Sequence, residues 1–267
     1  MTCHCSSDPE AHEDHAPVGA PTWIDLMSAD TDRARAFYGE LFGWECQEPN
    51  TDFGGYANFT KDGVMVAGLM GKMEEALPDM WSVYLEVADA DASVAALKAH
   101  GGQVFAGPHP VGDLGVMVVA TDAGGSLIGM WQSKEHTGFG VHNETNAPAW
   151  FELLTPDYAG ALDFYPSVFG WNLRTEADTP EFRYSVMQEG ELQYAGIMDA
   201  GHLPEGAPLG WRIYIEVATA DDTAAKVVAL GGTVTQEPVD TPYGRLVGCT
   251  DPMGAVFNTM QPPADQG

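Results

Sequence analysis

Basic residues are scarce in this sequence. Of its 267 residues, 11 are Lys or Arg and 39 are Asp or Glu, so the formal net charge is -28 at pH 7. A surface this acidic repels phosphate backbones and anionic lipids, because like charges oppose association. We therefore expect neither a nucleic acid nor a membrane surface as a partner.

Cysteines are few and long apolar runs are missing. Four cysteines in a chain of this length do not make a disulfide framework, and their scarcity is typical of a reducing compartment. No run approaches the roughly 18 apolar residues of a membrane span, and residues 1–14 are polar and acidic, unlike a signal peptide. The sequence thus predicts a cytoplasmic protein with a disordered acidic tail over residues 1–19.

An internal repeat is the most informative feature that is present. The motif Trp-Ile-Asp-Leu at residues 23–26 recurs as Trp-Phe-Glu-Leu at residues 150–153. Four further pairs match in the same order: Phe37-Tyr38 with Phe164-Tyr165, Ala67-Gly68-Leu69-Met70 with Ala195-Gly196-Ile197-Met198, Tyr84-Leu85-Glu86-Val87 with Tyr214-Ile215-Glu216-Val217, and Thr121-Asp122 with Thr250-Asp251. The repeat predicts two domains, at residues 20–133 and 148–262, joined by a linker at 134–147 and followed by a short tail at 263–267.

Each half has a strand and a helix followed by three strands, and this order occurs twice per half. Apolar residues at positions 34, 37, 38 and 41 have helical spacing, and Gly43 is a candidate left-handed residue at the helix end. In the second half, Thr155-Pro156 predicts the N-cap and first turn of the matching helix, and Pro166 is expected to kink it. The sequence therefore predicts an α+β fold of four βαβββ units.

Four such units, with a Phe-Tyr pair on the first helix and a Thr-Asp-x-x-Gly turn before the last strand, resemble the vicinal oxygen chelate superfamily of glyoxalases, bleomycin-resistance proteins and extradiol dioxygenases. The resemblance covers residues 20–262. The doubled Trp-x-[Asp/Glu]-Leu and Ala-Gly-[Leu/Ile]-Met motifs are similar to those of actinobacterial two-domain glyoxalase-like proteins. The resemblance implies two tandem glyoxalase-like domains with curved mixed sheets, and a divalent metal held on each concave face by His, Gln or Glu.

The resemblance also implies where the metal ligands would stand in this chain. These positions fall at Trp23, Ala67 or Gly68, Ser82 and Gly129 in the first half, and at Trp150, Ala195 or Gly196, Arg212 and Asn258 in the second. Indole, guanidinium and very small side chains do not supply the nitrogen and oxygen donors that Fe, Mn, Ni or Zn requires. We therefore predict no metal and no other cofactor.

The same residues suggest a different use of the clefts. A Trp on each floor, beside small Ala and Gly residues, would leave a cavity with a flat aromatic wall that suits a planar or amphipathic organic molecule. Arg212 would add an anion contact in the second cleft. The predicted ligand-binding residues are Trp23, Ser82, Tyr84, Trp150, Arg212, Tyr214 and Asn258. The alternative is that both tryptophans fill the lost metal sites as core.

The leading hypothesis is a metal-independent small-molecule binding protein, monomeric or homodimeric. The alternative is a glyoxalase-like lyase, a dioxygenase or a hydroxylase-type enzyme with a non-standard site, and a third class is an interaction protein. No catalytic residue is assigned. Asp25, Glu86, Glu152 and Glu216 recur between the halves but are interpreted as surface or inter-domain hydrogen-bonding groups. The Cys3-His4-Cys5 segment is interpreted as solvated tail.

Overall fold

The structure is a computed structural model that describes residues 16–204 and 206–263. Within these residues, a strand, an α-helix and three further strands follow one another four times, which confirms the four predicted βαβββ units. The elements of the first domain are β1 (Pro21–Ser28), α1 (Thr31–Phe42), β2 (Glu45–Cys46), a 3-10 turn (Thr51–Phe53), β3 (Ala57–Lys61), β4 (Val64–Gly71), β5 (Met80–Glu86), α2 (Ala90–Ala99), β6 (Gln103–Val111), β7 (Gly115–Thr121) and β8 (Leu127–Ser133). Those of the second are β9 (Pro148–Thr155), α3 (Tyr158–Phe169), β10 (Leu173–Asp178), β11 (Arg183–Glu189), β12 (Leu192–Asp199), β13 (Gly210–Glu216), α4 (Ala220–Ala229), β14 (Thr233–Thr241), β15 (Gly244–Thr250) and β16 (Val256–Gln261).

The strands of each half form one eight-stranded mixed sheet. The first has the order β2-β3-β4-β1-β5-β8-β7-β6, and the second has the equivalent order β10-β11-β12-β9-β13-β16-β15-β14. The first strands of the two units, β1 with β5 and β9 with β13, pair antiparallel at the centre. These paired central strands carry the floor of each cleft.

The first helix of each domain ends at a glycine, as the sequence predicts, but α3 does not begin at the predicted residue. Gly43 and Gly170 end α1 and α3 with φ of 75° and 70°, a left-handed conformation that glycine adopts without a Cβ penalty. The prediction that Thr155-Pro156 starts α3 is wrong. Thr155 ends β9, and Asp157 is the N-cap, because its carboxylate accepts a hydrogen bond from the Gly160 N–H at 3.0 Å.

The helices of both domains share one hydrophobic core, and the repeated motifs meet across it. The Tyr38 hydroxyl on α1 donates to Asp251 of the second domain at 3.1 Å, and the Tyr165 hydroxyl on α3 donates to Asp122 of the first at 3.0 Å. Asp122 also accepts the Ser126 N–H that closes its own turn. The Phe-Tyr and Thr-Asp motifs thus join the two domains through reciprocal buried hydrogen bonds.

The last residue of the predicted N-terminal tail contacts both domains. Gly19, within the predicted tail, donates its N–H to the Glu86 carbonyl at 2.8 Å and accepts the Trp171 indole N–H at 2.8 Å. Residues 1–15 and 264–267, including the Cys3-His4-Cys5 segment, lie outside the described residues. No described helix combines the length and hydropathy needed to cross a bilayer.

Candidate functional site

The first cleft is the face of the first sheet that carries Trp23. Because side chains alternate along a strand, Asp25 shares this face, whereas Ile24 points into the core with no exposed surface. The antiparallel register places Trp23 opposite Tyr84 and Asp25 opposite Ser82. A Trp, a carboxylate, a Tyr and a Ser therefore form the floor of the first cleft.

The second cleft is the face of the second sheet that carries Trp150. Here the register places Trp150 opposite Tyr214 and Glu152 opposite Arg212. Asn258 of β16 lies beside Tyr214 in the parallel register. The second floor repeats the Trp, the carboxylate and the Tyr of the first, but has an Arg where the first has Ser82.

A tyrosine covers the glycine position in each cleft. Gly68 pairs with Asp25, and a side chain at Gly68 would collide with the Tyr56 hydroxyl. A side chain at Gly196 would collide with the Tyr184 hydroxyl in the same way. The small residues therefore do not leave the open space expected from the sequence. Instead, they make room for a tyrosine.

The tyrosines join the tryptophan and the acid of the first cleft into one network. The Trp23 indole N–H donates to the Tyr56 hydroxyl at 2.8 Å. The hydroxyls of Tyr84 and Ser82 lie beside the Asp25 carboxylate, and the Tyr84 hydroxyl also contacts the Met117 sulfur at 3.9 Å. Burial raises the pKa of Asp25 to about 6, although both neighbouring hydroxyls oppose the rise.

Aromatic side chains close the first cleft from above. Trp23 is 5% exposed and clusters with Tyr84 and Trp131. The linker crosses this cluster: the His136 ring meets Trp23 edge-on at 4.5 Å, and the Phe139 ring lies 5.6 Å from Trp23. The Trp131 indole N–H donates to the His136 carbonyl at 2.8 Å. In the first cleft, Trp23 therefore fills a packed core, in line with the alternative given by the sequence.

The second cleft contains an equivalent network with one added charge. The Trp150 indole N–H donates to the Tyr184 hydroxyl at 3.0 Å, and the Tyr214 hydroxyl donates to Glu152 at 2.8 Å. Burial raises the pKa of Glu152, whereas hydrogen bonds from Tyr214 and Tyr184 and the nearby Arg212 charge lower it. Burial also lowers the pKa of Arg212.

The second cleft is the more open of the two. Trp150, Arg212 and Tyr214 are all partly exposed, unlike the buried Trp23 and Tyr84. Two exposed aromatic residues flank Tyr184: Phe182, 39% exposed, stacks on it at 5.7 Å, and Tyr243, 52% exposed, lies at 6.3 Å. An aromatic rim therefore leads from solvent to Trp150.

The seven residues predicted as ligand-binding fall into these two groups. The structure places Trp23, Ser82 and Tyr84 together on the first floor, and Trp150, Arg212, Tyr214 and Asn258 together on the second. Asn258 is buried, and its amide donates to the Ile213 carbonyl at 3.4 Å.

The acids and the covering tyrosines of both clefts are not among the residues predicted to form a site. Asp25 and Glu152 are interpreted as surface or inter-domain groups, but they lie buried on the cleft floors. Each stands two residues after its Trp, which is the strand repeat that a common face requires. Tyr56 and Tyr184 each stand twelve residues before their glycine, so the internal repeat contains a signal for them.

Comparisons with known proteins agree with this architecture. A family model of the glyoxalase/bleomycin resistance protein/dioxygenase superfamily matches residues 21–130 and 147–259. The chain belongs to this superfamily. Among its relatives, "Putative glyoxylase CFP32" of Mycobacterium bovis is 37% identical over 254 residues, which cover 93% of this chain and 97% of that protein. "Anthracycline biosynthesis protein DnrV" of Streptomyces peucetius is 33% identical over 262 residues, covering 91% and 93%.

A solved superfamily structure shares the fold. The Mn(II)-bound glyoxalase from Novosphingobium aromaticivorans superposes with a TM-score of 0.64 over 91% of this chain and 82% of that chain, at 16% sequence identity. At this identity the likeness concerns the fold alone.

A metal held at the superfamily's ligand positions does not fit this chain. In the first cleft these positions are Trp23, Gly68, Ser82 and Gly129, and tyrosine rings lie against both glycines. In the second, Arg212 would bring a positive charge to the metal. Nowhere in residues 16–204 and 206–263 do three or more His, Cys, Asp or Glu side chains come together as a metal-binding group.

Proposed function

We propose that this protein binds a small aromatic or amphipathic molecule in its second cleft without a metal ion. The observation that carries the proposal is the partly exposed Trp150 indole, which Tyr184 holds by a hydrogen bond of 3.0 Å above the buried Glu152. A partly exposed indole that a hydrogen bond holds in place is a good stacking surface for a planar ring. The donor-poor ligand positions support a role that does not need a metal.

The named relatives support the aromatic class of ligand. DnrV of Streptomyces peucetius is named for anthracycline biosynthesis, and DauV of Streptomyces sp. strain C5 has the same description at 32% identity. Anthracyclines are planar fused-ring aromatic compounds with polar substituents. The rim residues Phe182 and Tyr243 would offer further aromatic contact to such a molecule.

The test is calorimetric titration of the full chain with 2-naphthol and with anthraquinone derivatives, before and after treatment with EDTA. We expect binding that EDTA leaves unchanged and that Trp150→Ala weakens about tenfold, since one stacked aromatic contact contributes on the order of 1 kcal/mol. Tyr56→Phe, in the closed first cleft, is the matched control and should leave affinity unchanged. Binding that requires a stoichiometric metal, or that Trp150→Ala does not alter, would contradict the proposal.

A second candidate is an enzyme that uses Glu152 as an acid or base. It is favoured by the environment of this carboxyl group, which is buried, has a raised pKa and touches the hydroxyls of Tyr214 and Tyr184. Such a group is suited to moving a proton at a bound ligand. Turnover of a bound compound that Glu152→Gln abolishes, while calorimetric affinity is retained, would favour the enzyme over the binding protein.

The location in the cytoplasm and the monomeric or homodimeric state stay predictions. Sedimentation of the purified chain tests the second of these directly, and the network of the second cleft requires no residue from another copy.

A further inference from the structure

We propose that the second cleft selects an aromatic ligand that carries an anionic group, with the ring on Trp150 and the acid on Arg212. This inference rests on the proposed binding function and narrows its ligand to aromatic acids. It depends on the charge environment of Arg212, on its distance from Trp150, and on the contrast with the first cleft.

Arg212 is a cation without an ion-pair partner in the part of the chain that the structure describes. Its Nη2 group donates to the Pro208 carbonyl, and no described carboxylate oxygen lies within 4.0 Å of its nitrogens. Arg183 and Arg245, by contrast, each pair with two Asp side chains. In a chain of net charge -28, a partly buried guanidinium without a carboxylate partner is available to an anion.

The neighbouring Glu152 does not form an ion pair with the Arg212 guanidinium. It stands opposite Arg212 in the ladder, but its carboxylate accepts a hydrogen bond from Tyr214 at 2.8 Å and lies beside the Tyr184 hydroxyl. The negative charge of Glu152 would oppose a second anion nearby. We therefore expect Glu152→Gln to strengthen the binding of an anionic ligand and to leave that of a neutral one nearly unchanged.

The spacing of the two contacts fits a compact aromatic acid. Trp150 pairs with Tyr214, so Arg212, two residues before Tyr214, is the diagonal neighbour of Trp150 on the next strand. Diagonal neighbours of an antiparallel ladder have Cα atoms about 7–8 Å apart. An aromatic acid of one or two fused rings is long enough to reach from Trp150 to Arg212 once the guanidinium turns from the Pro208 carbonyl towards the ligand. Phe182 and Tyr243 at the rim are further ring contacts.

The first cleft offers neither contact. Ser82 stands where the second cleft has Arg212, so the first floor has no cation at this position. Trp23 is closed off by His136 and Phe139. The difference between the two clefts therefore assigns anion selection to the second.

The test compares 2-naphthoate with its neutral counterpart 2-naphthamide by calorimetry on the full chain. We expect naphthoate to bind about tenfold more tightly, as a charge-assisted contact at a partly desolvated guanidinium should give. Arg212→Gln should bring the two affinities within about twofold of each other, and Arg212→Lys, which keeps the charge without the planar fork, should retain part of the preference. Ser82→Asn, at the matched position of the first cleft, is the control and should change neither affinity.

The possible results separate this inference from the proposed function. Equal binding of both probes, unaffected by Arg212→Gln and weakened by Trp150→Ala, would overturn anion selection and leave the binding function standing. Failure of the wild-type chain to bind either probe would overturn both. A loss of the naphthoate preference in Ser82→Asn would place the anion site in the first cleft and would also overturn the inference.

Discussion

The first and second clefts have the same floor but differ in what covers it. Each floor has a Trp that donates to a Tyr, and a buried acid beside the hydroxyl of a second Tyr. Above the first floor lie Trp131 and the linker residues His136 and Phe139. The first floor is therefore buried as core, whereas Trp150, Arg212 and Tyr214 of the second floor are partly exposed.

Besides the linker, the two clefts differ at three equivalent positions. Trp131 and Met260 each pair with the Glu that ends the central strand, so a large aromatic of the first domain corresponds to a thioether in the second. Arg212 replaces Ser82, and Tyr243 replaces Leu114 immediately before the glycine that opens the next strand. The first cleft thus has the bulky Trp131, whereas the second has the charged Arg212 and the exposed ring of Tyr243.

The acid on both floors shows why the shared network is more than packing. Burying a carboxylate costs free energy that an apolar residue of the same volume would avoid. Asp25 and Glu152 are nevertheless held by tyrosine hydroxyls, and burial raises the pKa of each. In the first cleft the buried acid has no neighbouring cation at the matched position, which is Ser82. In the second cleft the acid lies opposite Arg212, where we propose that the ligand binds.

The largest expected effect that separates the clefts is on stability. Trp23→Ala should lower the free energy of unfolding by about 3–5 kcal/mol, because it empties the centre of a packed aromatic cluster. Trp150→Ala should cost only about 1–2 kcal/mol, since the indole is partly exposed. Urea denaturation of both variants measures the difference. Equal losses would mean that Trp150 is also core and that the second cleft is closed.

A smaller effect concerns the dependence of stability on pH. The pKa of Asp25 is 3.8 when exposed and about 6 in the folded protein, mainly because of burial. Between about pH 4 and 6 the unfolded chain therefore loses this proton first, and the free energy of unfolding falls as the pH rises. The fall is at most about 3 kcal/mol and is complete above pH 6.

Asp25→Asn removes this contribution, so its stability relative to wild type should rise between pH 4 and 7. Urea denaturation across that range provides the measurement, and other titrating groups cancel in the difference. Glu152→Gln is the matched variant of the second cleft, and it should shift in the same direction because burial also raises the pKa of Glu152. Parallel curves for wild type and Asp25→Asn would show that the acid of the closed cleft does not titrate as described.

Most of the fold follows from the sequence because its signals are local or repeated. Helical spacing and the glycine at position 43 define α1, and the internal repeat transfers that assignment to α3. The start of α3 is ambiguous in the sequence because Thr155 and Asp157 are both capping residues. Pairing of β9 with β12 up to Thr155 decides between them, and this is a contact between strands distant in sequence.

The site was only partly predictable for the same reason. Alternation from Trp23 and Trp150 identifies the cleft faces, but assigning Asp25 to that face needs a regular register beyond the bulge between Pro21 and Trp23. Closure of the first cleft depends on where the linker crosses, and no periodic pattern encodes a single contact such as His136 on Trp23. The sequence thus predicts the difference in charge between the clefts, at Ser82 and Arg212, but not the closure of the first cleft, which depends on long-range packing.

The smallest expected effect on stability tests the rim of the open cleft. Tyr243→Leu gives the second cleft the residue that the first has at Leu114, and it should change the free energy of unfolding by less than about 0.5 kcal/mol because Tyr243 is 52% exposed. If the exposed ring contacts the ligand beside Tyr184, calorimetric affinity for 2-naphthoate should still fall several-fold. The reciprocal variant Leu114→Tyr is the control, since Leu114 packs against the closed aromatic cluster and should not affect binding. Unchanged affinity in Tyr243→Leu would remove the rim from the site and restrict ring recognition to Trp150.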